Sequence, residues 1–375
     1  MTDPSERAHY LDNLRWMAML LGVFVHASTL GNFGLIDYVT LVSNVFRMAL
    51  FFIISGYLGA MLLQRQNVLE FWAGRFRNLA IPFAAALLLL NPLTIWLMFQ
   101  YADGKPSLAR VLSVFQGQEQ GLQMIVVWHM HLWFLISLMC FVTLAPLLGP
   151  LPRLVAQWAE RELLLTPLRR RLTPLVVILG SLILSLGLLA TLRALSTLIG
   201  PEPWLVRVTI QYMPFYILGL VLYHTPTLFA RLRQTDYALG AVILSLFIVL
   251  QSQYLNLPGA NRLSFAALMA LRFWMCFFLL DIGYRFFNRS GTLTQLLSAS
   301  IYTVYLFHFL ILYVVALAVG QILAQSSLFY VVVVCLSIGL ALALHFMVIA
   351  RNSWLQLLFN GRKPARMDAT QRTLT

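Results

Sequence analysis

The sequence predicts an all-α, polytopic membrane helix bundle of about ten transmembrane helices, with both termini cytoplasmic. Three observations carry this expectation. Of 375 residues, 60% are hydrophobic and 10% are charged, against about 25% charged in an ordinary soluble domain. Apolar runs of roughly twenty residues, the length that crosses a bilayer, recur along the chain. The basic residues gather on alternate connections instead of spreading evenly.

Taken in order, the apolar runs place helices at 14–33, 39–63, 79–99, 125–148, 174–199, 204–224, 237–255, 262–287, 298–320 and 328–350. Run length and the lack of sustained alternation select helix over strand. The first run lacks a small-residue cleavage site and leads into further spans, so it reads as a retained anchor. Residues 100–124 contain the turn signal Asp103-Gly104-Lys105-Pro106 and read as a polar outer loop. Residues 149–173 read as an inner connection carrying Trp158 and the run Arg169-Arg170-Arg171, a topology signal or lipid-headgroup contact. The membrane domain is expected over 1–355 and a basic cytoplasmic tail over 356–375.

With the amino terminus inside, 19 Lys and Arg residues fall on inner segments and helix ends. Only 3, Lys105, Arg110 and Arg262, fall outside, while Arg47, Arg193, Arg207 and Arg272 lie within helices. The net charge of +13 therefore reports orientation, and no nucleic-acid partner is expected. Apart from Lys105 and Lys363 the basic residues are all Arg, which snorkels to headgroups and grips phosphates bidentately. Cys140, Cys276 and Cys335 each sit in an apolar run and read as packing residues. No metal-ligand spacing occurs, so no metal is expected.

Ionisable side chains at bilayer depth are costly, which makes each one a functional candidate. His26 lies roughly 18 Å from the inner end of the first helix at the helical rise. Arg15 precedes it by about three turns on nearly the same face, and Asp12 is placed to pair with Arg15. Arg47, His131, Arg272 and His308 fall at middle or outer-middle depth on four other helices. A lone histidine would be a packing residue, but five costly side chains at similar depth point to one polar cavity. Arg47 and Arg272 have a plainer alternative, snorkelling outward or tying helices together. Arg65, Arg75 and Arg77 form an inner cluster ahead of the third helix; alone it is a positive-inside signal, and with Arg15 it is a phosphate clamp. There is no Ser-His-Asp spacing, Walker loop or dinucleotide fingerprint. Scarce carboxylates at the helix centres argue against a proton-coupled transporter.

These residues also fit a known pattern. Tyr10-Leu11-Asp12-Asn13-Leu14-Arg15 followed by His26 resembles the opening signature of the membrane acyltransferase type 3 family. Arg47 with Phe51-Phe52-Ile53-Ile54-Ser55-Gly56-Tyr57 resembles its second helix, and Phe71, Arg75, Arg77 and Pro82 the start of its third. Ser300-Ile301-Tyr302-Thr303-Val304-Tyr305-Leu306-Phe307-His308 resembles its penultimate span. Within the family, His131-Leu132-Trp133-Phe134-Leu135 and Phe359-Asn360-Gly361-Arg362-Lys363-Pro364 are most similar to the branch that succinylates osmoregulated periplasmic glucans.

The resemblance implies a bacterial inner-membrane enzyme of ten helices, a cytoplasmic acyl-coenzyme A donor and a periplasmic glucan or other saccharide acceptor. It implies no permanently bound cofactor; acyl-CoA, with succinyl-CoA favoured, is a co-substrate. Membrane lipid is a partner, and a homodimer is left open. Asp12, Arg15, Arg75 and Arg77 are expected to anchor the donor. His26 suits the general base, since imidazole titrates near neutrality. Arg47, Tyr305 or His308 would steady the thioester oxyanion, and His131 and Arg272 would line the acceptor side. Ser55 beside Gly56 reads as helix packing more than as a nucleophile. The competing class is a transporter or flippase for an acidic glycan or lipid precursor, which symmetry-related broken helices would favour; no such repeat is evident.

Overall fold

A computed structural model describes residues 9–31, 34, 37–117, 127–200, 203–251, 260–289 and 291–362. Helix is the only regular structure among them, as expected where bilayer-length apolar runs must satisfy their own backbone. The chain opens with α1 (His9–Ala27) and α2 (Asp37–Arg65). Next come α3 (Val68–Ala85) and α4 (Asn91–Asp103), joined by a π-helical turn at Ala86–Leu90. Pro92 accounts for that turn, because its ring and missing N–H demand a wider local winding. Gly104, at φ 66°, closes α4 in the left-handed conformation that glycine adopts without strain.

The expected outer loop at 100–124 is thus partly helical, since α4 runs to Asp103 and α5 (Leu108–Phe115) follows, capped by Ser107. Residues 118–126 lie outside the described residues. α6 (Trp133–Leu144) precedes the amphipathic α7 (Leu151–Leu163) and the long α8 (Pro167–Ile199). α8 begins at Pro167, well before the 174 at which the apolar run starts, and carries Pro174 inside it. Proline removes the N–H that would bond to the Arg170 carbonyl, and here the Arg231 guanidinium donates to that carbonyl at 2.7 Å instead. The helix therefore passes through its proline intact.

The remaining helices are α9 (Trp204–His224), α10 (Pro226–Leu232), α11 (Tyr237–Gln251), α12 (Ala260–Phe286), α13 (Thr292–Val319), α14 (Ser327–Met347) and α15 (Ser353–Asn360). Among the described residues, eight helices are long and apolar enough to cross a membrane, or nine if the bent α10–α11 pair counts as one span. α1 is not among the eight: Asp12, Asn13 and Arg15 occupy its first half, and it ends at Ala27, short of the expected 33. The chain is a multi-pass all-α bundle.

Two compact units divide it. The first comprises Met1–Ala18, Leu41–Phe71 and Cys140–Ser298. Its tightest crossing is α2 on α9, where a Cβ on Gly56 or Gly219 would overlap the backbone of the other helix. Small residues let two backbones approach this closely, which suits packing in lipid, and Ser55 beside Gly56 belongs to that packing surface. Phe215 and Phe273 stack with ring centroids 4.0 Å apart.

The second unit comprises Met19–Thr40, Trp72–Met139 and Ala299–Thr375. Its core gathers Val23, Ala27, Phe99, Leu312, Phe329 and Val333 from α1, α4, α13 and α14. Gly361, at φ 65°, caps α15 and lies against the α3 backbone at Asn78, where a Cβ would collide. Of the three free cysteines only Cys276 is buried; Cys140 and Cys335 are exposed, so the packing role expected for all three holds for one.

Candidate active site

The second unit builds a histidine cluster at the end of α1. His26 is the penultimate residue of α1, which continues as a 3-10 turn over Ser28–Leu30. Helix ends leave carbonyls without intrahelical donors, and here hydroxyls from two other helices and one from the turn itself meet them. Tyr330 of α14 donates to the Phe24 carbonyl at 2.6 Å. Tyr101 of α4 donates to the Leu30 carbonyl at 3.1 Å. Thr29 Oγ1 donates to the His26 carbonyl at 2.7 Å and lies 2.9 Å from the Tyr313 hydroxyl of α13. The segment carrying His26 is thereby held in place from outside its own helix.

His308 of α13 stands 5.1 Å from His26, and His131 stands 5.8 Å from His26 and 5.2 Å from His308, centroid to centroid. Phe309 closes the group at 4.7 Å from His26. His308 Nδ1 lies 2.9 Å from the Val304 carbonyl and 2.8 Å from the Tyr305 carbonyl. A carbonyl only accepts, so Nδ1 carries the proton and Nε2 of the neutral ring is an acceptor.

His131 sits in a 3-10 turn, Met130–Leu132, that precedes α6. Met130 takes φ 44°, a conformation costly for a residue with a Cβ and typical of constrained functional turns. Tyr305 steadies this turn by donating its hydroxyl to the His131 carbonyl at 3.0 Å. The His131 ring is 6% exposed, and neither of its nitrogens meets a hydrogen-bond partner among the described residues. The Tyr305 carbonyl, which accepts from His308 Nδ1, lies alongside the His131 ring without hydrogen-bond geometry to it. An imidazole dried out in this way is held at a cost of about 1–3 kcal/mol. Among the described residues no group of His, Cys, Asp or Glu is arranged to hold a metal ion.

Of the five deep side chains expected to share one cavity, three meet within a single unit. His26, His131 and His308 come together in one unit, while Arg47 and Arg272 belong to the other. Arg47 is buried on α2 at 8% exposure. Arg272 of α12 lies 5.5 Å over the Tyr212 ring with Nη1 3.6 Å from the Met269 sulfur, soft partners for a guanidinium. The donor candidates divide too. Asp12 and Arg15 form an ion pair at 3.7 Å in the first unit. Arg75 and Arg77 are in the second, and they lie inside α3, not in a loop ahead of it. Two residues apart on a helix, they do not share a face. Arg77 Nε donates to the Gly361 carbonyl at 3.4 Å, tying α3 to the end of α15.

The sequence profile described as "Acyltransferase domain", of the type 3 class, matches residues 8–346. The chain belongs to the acyltransferase type 3 family. This type 3 acyltransferase is 25% identical to the protein named "Glucans biosynthesis protein C" of Salmonella typhi, across 98% of each chain. The proteins of the same name from Salmonella schwarzengrund and Salmonella typhimurium are 26% and 25% identical, again across 98% of each chain. No solved structure gives a significant match.

Several residues of this acyltransferase's site escape a reading of its sequence. Thr29, Tyr101, Tyr313 and Tyr330 hold the end of α1, yet a tyrosine in an apolar helix has the spacing of any packing residue. Trp16, next to the signature arginine, donates its indole N–H to Asn13 at 2.8 Å, and Asn13 in turn reaches the Phe287 carbonyl at 2.6 Å. Those contacts fasten α1 to the end of α12 within the first unit.

Proposed function

We propose that this type 3 acyltransferase moves an acyl group, succinyl favoured, from cytoplasmic acyl-coenzyme A to a hydroxyl of a periplasmic glucan, in the inner membrane with both termini cytoplasmic. The cluster of His26, His131 and His308 is the observation that carries the reading. The printed name of the relatives supports glucan as the acceptor class, and the 19 to 3 distribution of basic residues supports the orientation.

In this reading His26 takes the proton from the acceptor hydroxyl as its oxygen attacks the thioester carbonyl carbon. A C–O bond forms and a tetrahedral oxyanion develops. The C–S bond then breaks, and the imidazolium of His26 returns the proton to the departing thiolate. The products are an acyl ester and free coenzyme A. His308 orients the base: its Nδ1 is committed to two carbonyls, so Nε2 presents a lone pair towards the cluster. That tautomer makes His308 an acceptor and moves it from the expected oxyanion role to a positioning one. Tyr305 likewise positions, since its hydroxyl is given to the His131 carbonyl. His131, with both ring nitrogens uncommitted among the described residues, is the group left to meet the acceptor hydroxyl or the oxyanion. Arg15, Arg75 and Arg77 supply cations for the donor's phosphates.

The test is incubation of purified protein with radiolabelled succinyl- or acetyl-coenzyme A and a panel of glucans. Label in an alkali-labile ester on glucan, greatest with succinyl donor, is the expected result. Proteoliposomes that move glucan across the membrane without forming ester would overturn it in favour of transport. A periplasm-dependent reporter that became active when fused after Thr375 would reverse the orientation and the donor side with it.

A further inference from the structure

The first unit carries a polar site apart from the candidate catalytic and donor residues, at the arginine run read from the sequence as a topology signal or lipid-headgroup contact. The start of α8, together with α10 and the segment leading into α11, forms an open cleft of about 420 Å³ lined by Pro167, Arg170, Arg171, Arg231 and Asp236. Arg231 is 8% exposed and fixes the cleft. Its guanidinium donates to the Arg170 carbonyl at 2.7 Å, the Arg171 carbonyl at 3.1 Å and the Gln234 carbonyl at 3.2 Å. Backbone carbonyls satisfy its donors and leave its charge in place.

The three consecutive arginines of this stretch are not equivalent. Arg169 pairs with Glu162 at 2.9 Å. Arg170 and Arg171 are exposed, line the cleft and have no acidic partner among the described residues. The positive end of the α8 dipole adds to them. Against these stands one carboxylate, Asp236, which accepts the Leu239 N–H at 3.0 Å at the start of α11. The cleft therefore holds an uncompensated positive field, and such a field is relieved by an anion.

The same two helices show what bears the anion. An apolar groove of about 350 Å³ runs along α7, α8 and α9, with Val176 and Val177 of α8, Leu228 of α10 and Trp158 of α7 in its lining. Val177 follows Arg170 by seven residues, about 10 Å along α8 and on nearly the same face, and Leu228 precedes Arg231 by about one turn. The bilayer-length stretch of α8 is largely unburied within the protein, so it faces lipid. We propose that the cleft binds the headgroup phosphate of an anionic phospholipid, with an acyl chain along the adjoining groove.

The proposal can be tested by native mass spectrometry of the full-length protein in detergent, titrated with phosphatidylglycerol or phosphatidylcholine. Wild type is expected to retain phosphatidylglycerol preferentially. Arg170→Gln/Arg171→Gln should weaken that retention about 10- to 30-fold, because each arginine near an anionic headgroup adds about 1 kcal/mol. Both side chains are exposed, so folding is not at stake; the single variants should each show part of the loss. Arg169→Gln, whose partner is Glu162, should retain the lipid as wild type does. Equal retention of the two lipids by wild type, or retention unchanged in the double variant, would overturn the proposal. So would displacement of phosphatidylglycerol by inorganic phosphate or coenzyme A through the same two arginines, which would assign the cleft to a soluble phosphate. None of these readouts depends on acyl transfer.

Discussion

In the unit that carries His26, the buried side chains of the basic and acidic residues (His, Lys, Arg, Asp, Glu) among the described residues are all histidines: His129, His131, His308 and His345. In the other unit they are Arg47, Arg231 and Asp281. The satisfaction of these groups differs as sharply as their type. Arg231 is surrounded by carbonyls, and Asp281 receives the Thr235 hydroxyl at 2.6 Å and the Arg285 guanidinium at 2.5 Å. Both hold helices in place. His131, in contrast, is buried with nothing to bond to among the described residues. A guanidinium keeps its charge at any working pH, while an imidazole gains and loses a proton near neutrality. One unit thus buries side chains of fixed charge, while the other buries side chains that can be neutral, and the proposed function rests on the second.

The contrast is broken most directly at His26. His26→Gln keeps polarity and hydrogen bonding while removing the proton acceptor. It is expected to lower kcat about 10²–10⁴-fold while donor binding, read by direct titration, stays near wild type. Near-normal transfer at neutral pH would make His26 structural and leave His308 as the next candidate base.

His131→Phe tests the same unit with two readouts of opposite sign. Loss of a hydrogen-bond donor at the reacting centre should cost roughly 10²-fold in kcat. Thermal stability should hold or rise, because an apolar ring replaces a desolvated polar one. A variant that unfolds earlier yet keeps its turnover would show that His131 is a packing residue.

These sites differ in how far they could be read from sequence. His26 and His308 stand out because an imidazole at bilayer depth is anomalous on energetic grounds. Their meeting with His131 depends on α1, α13 and a turn before α6 being packed into one unit, which no single-helix periodicity encodes. Whether Arg47 and Arg272 join them is equally beyond such a pattern, since similar depth does not fix which helices are neighbours. Arg75 and Arg77 fall outside an apolar window, which ignores the amphipathic turns that extend α3 back to Val68. The start of α8 lies outside an apolar window because Arg169, Arg170 and Arg171 fill its first turns, and the Arg170 carbonyl that Pro174 leaves is taken by Arg231. The fold class needed none of these details, as composition and run length settle it.

Arg75→Gln sharpens the comparison from the donor side. A guanidinium that binds phosphate acts through affinity shared by ground and transition states. The apparent KM for acyl-coenzyme A should therefore rise about 10-fold, with kcat little changed. Arg75 is preferred to Arg77, whose contact with the Gly361 carbonyl would mix donor affinity with packing. A fall in kcat at unchanged donor affinity, measured directly, would remove Arg75 from the anchor.

The smallest effect expected is also the finest test of how the end of α1 is held. Tyr330→Phe deletes one hydroxyl and leaves the ring in the core, so the only designed loss is the 2.6 Å hydrogen bond to the Phe24 carbonyl. Loss of a single such bond costs about 1 kcal/mol. Because Phe24 is two residues before His26 in α1, loosening it should also lower kcat several-fold without altering donor affinity. Tyr223→Phe in the other unit is the matched control. Its hydroxyl donates to Gln64 Oε1 at 2.8 Å at an exposed position, where water replaces the partner, and both stability and turnover should stay at wild-type values. Equal turnover of the two variants, with only Tyr330→Phe destabilised, would mean that the tyrosine contacts around α1 add stability alone. A kcat loss confined to Tyr330→Phe would mean that they set the position of the base.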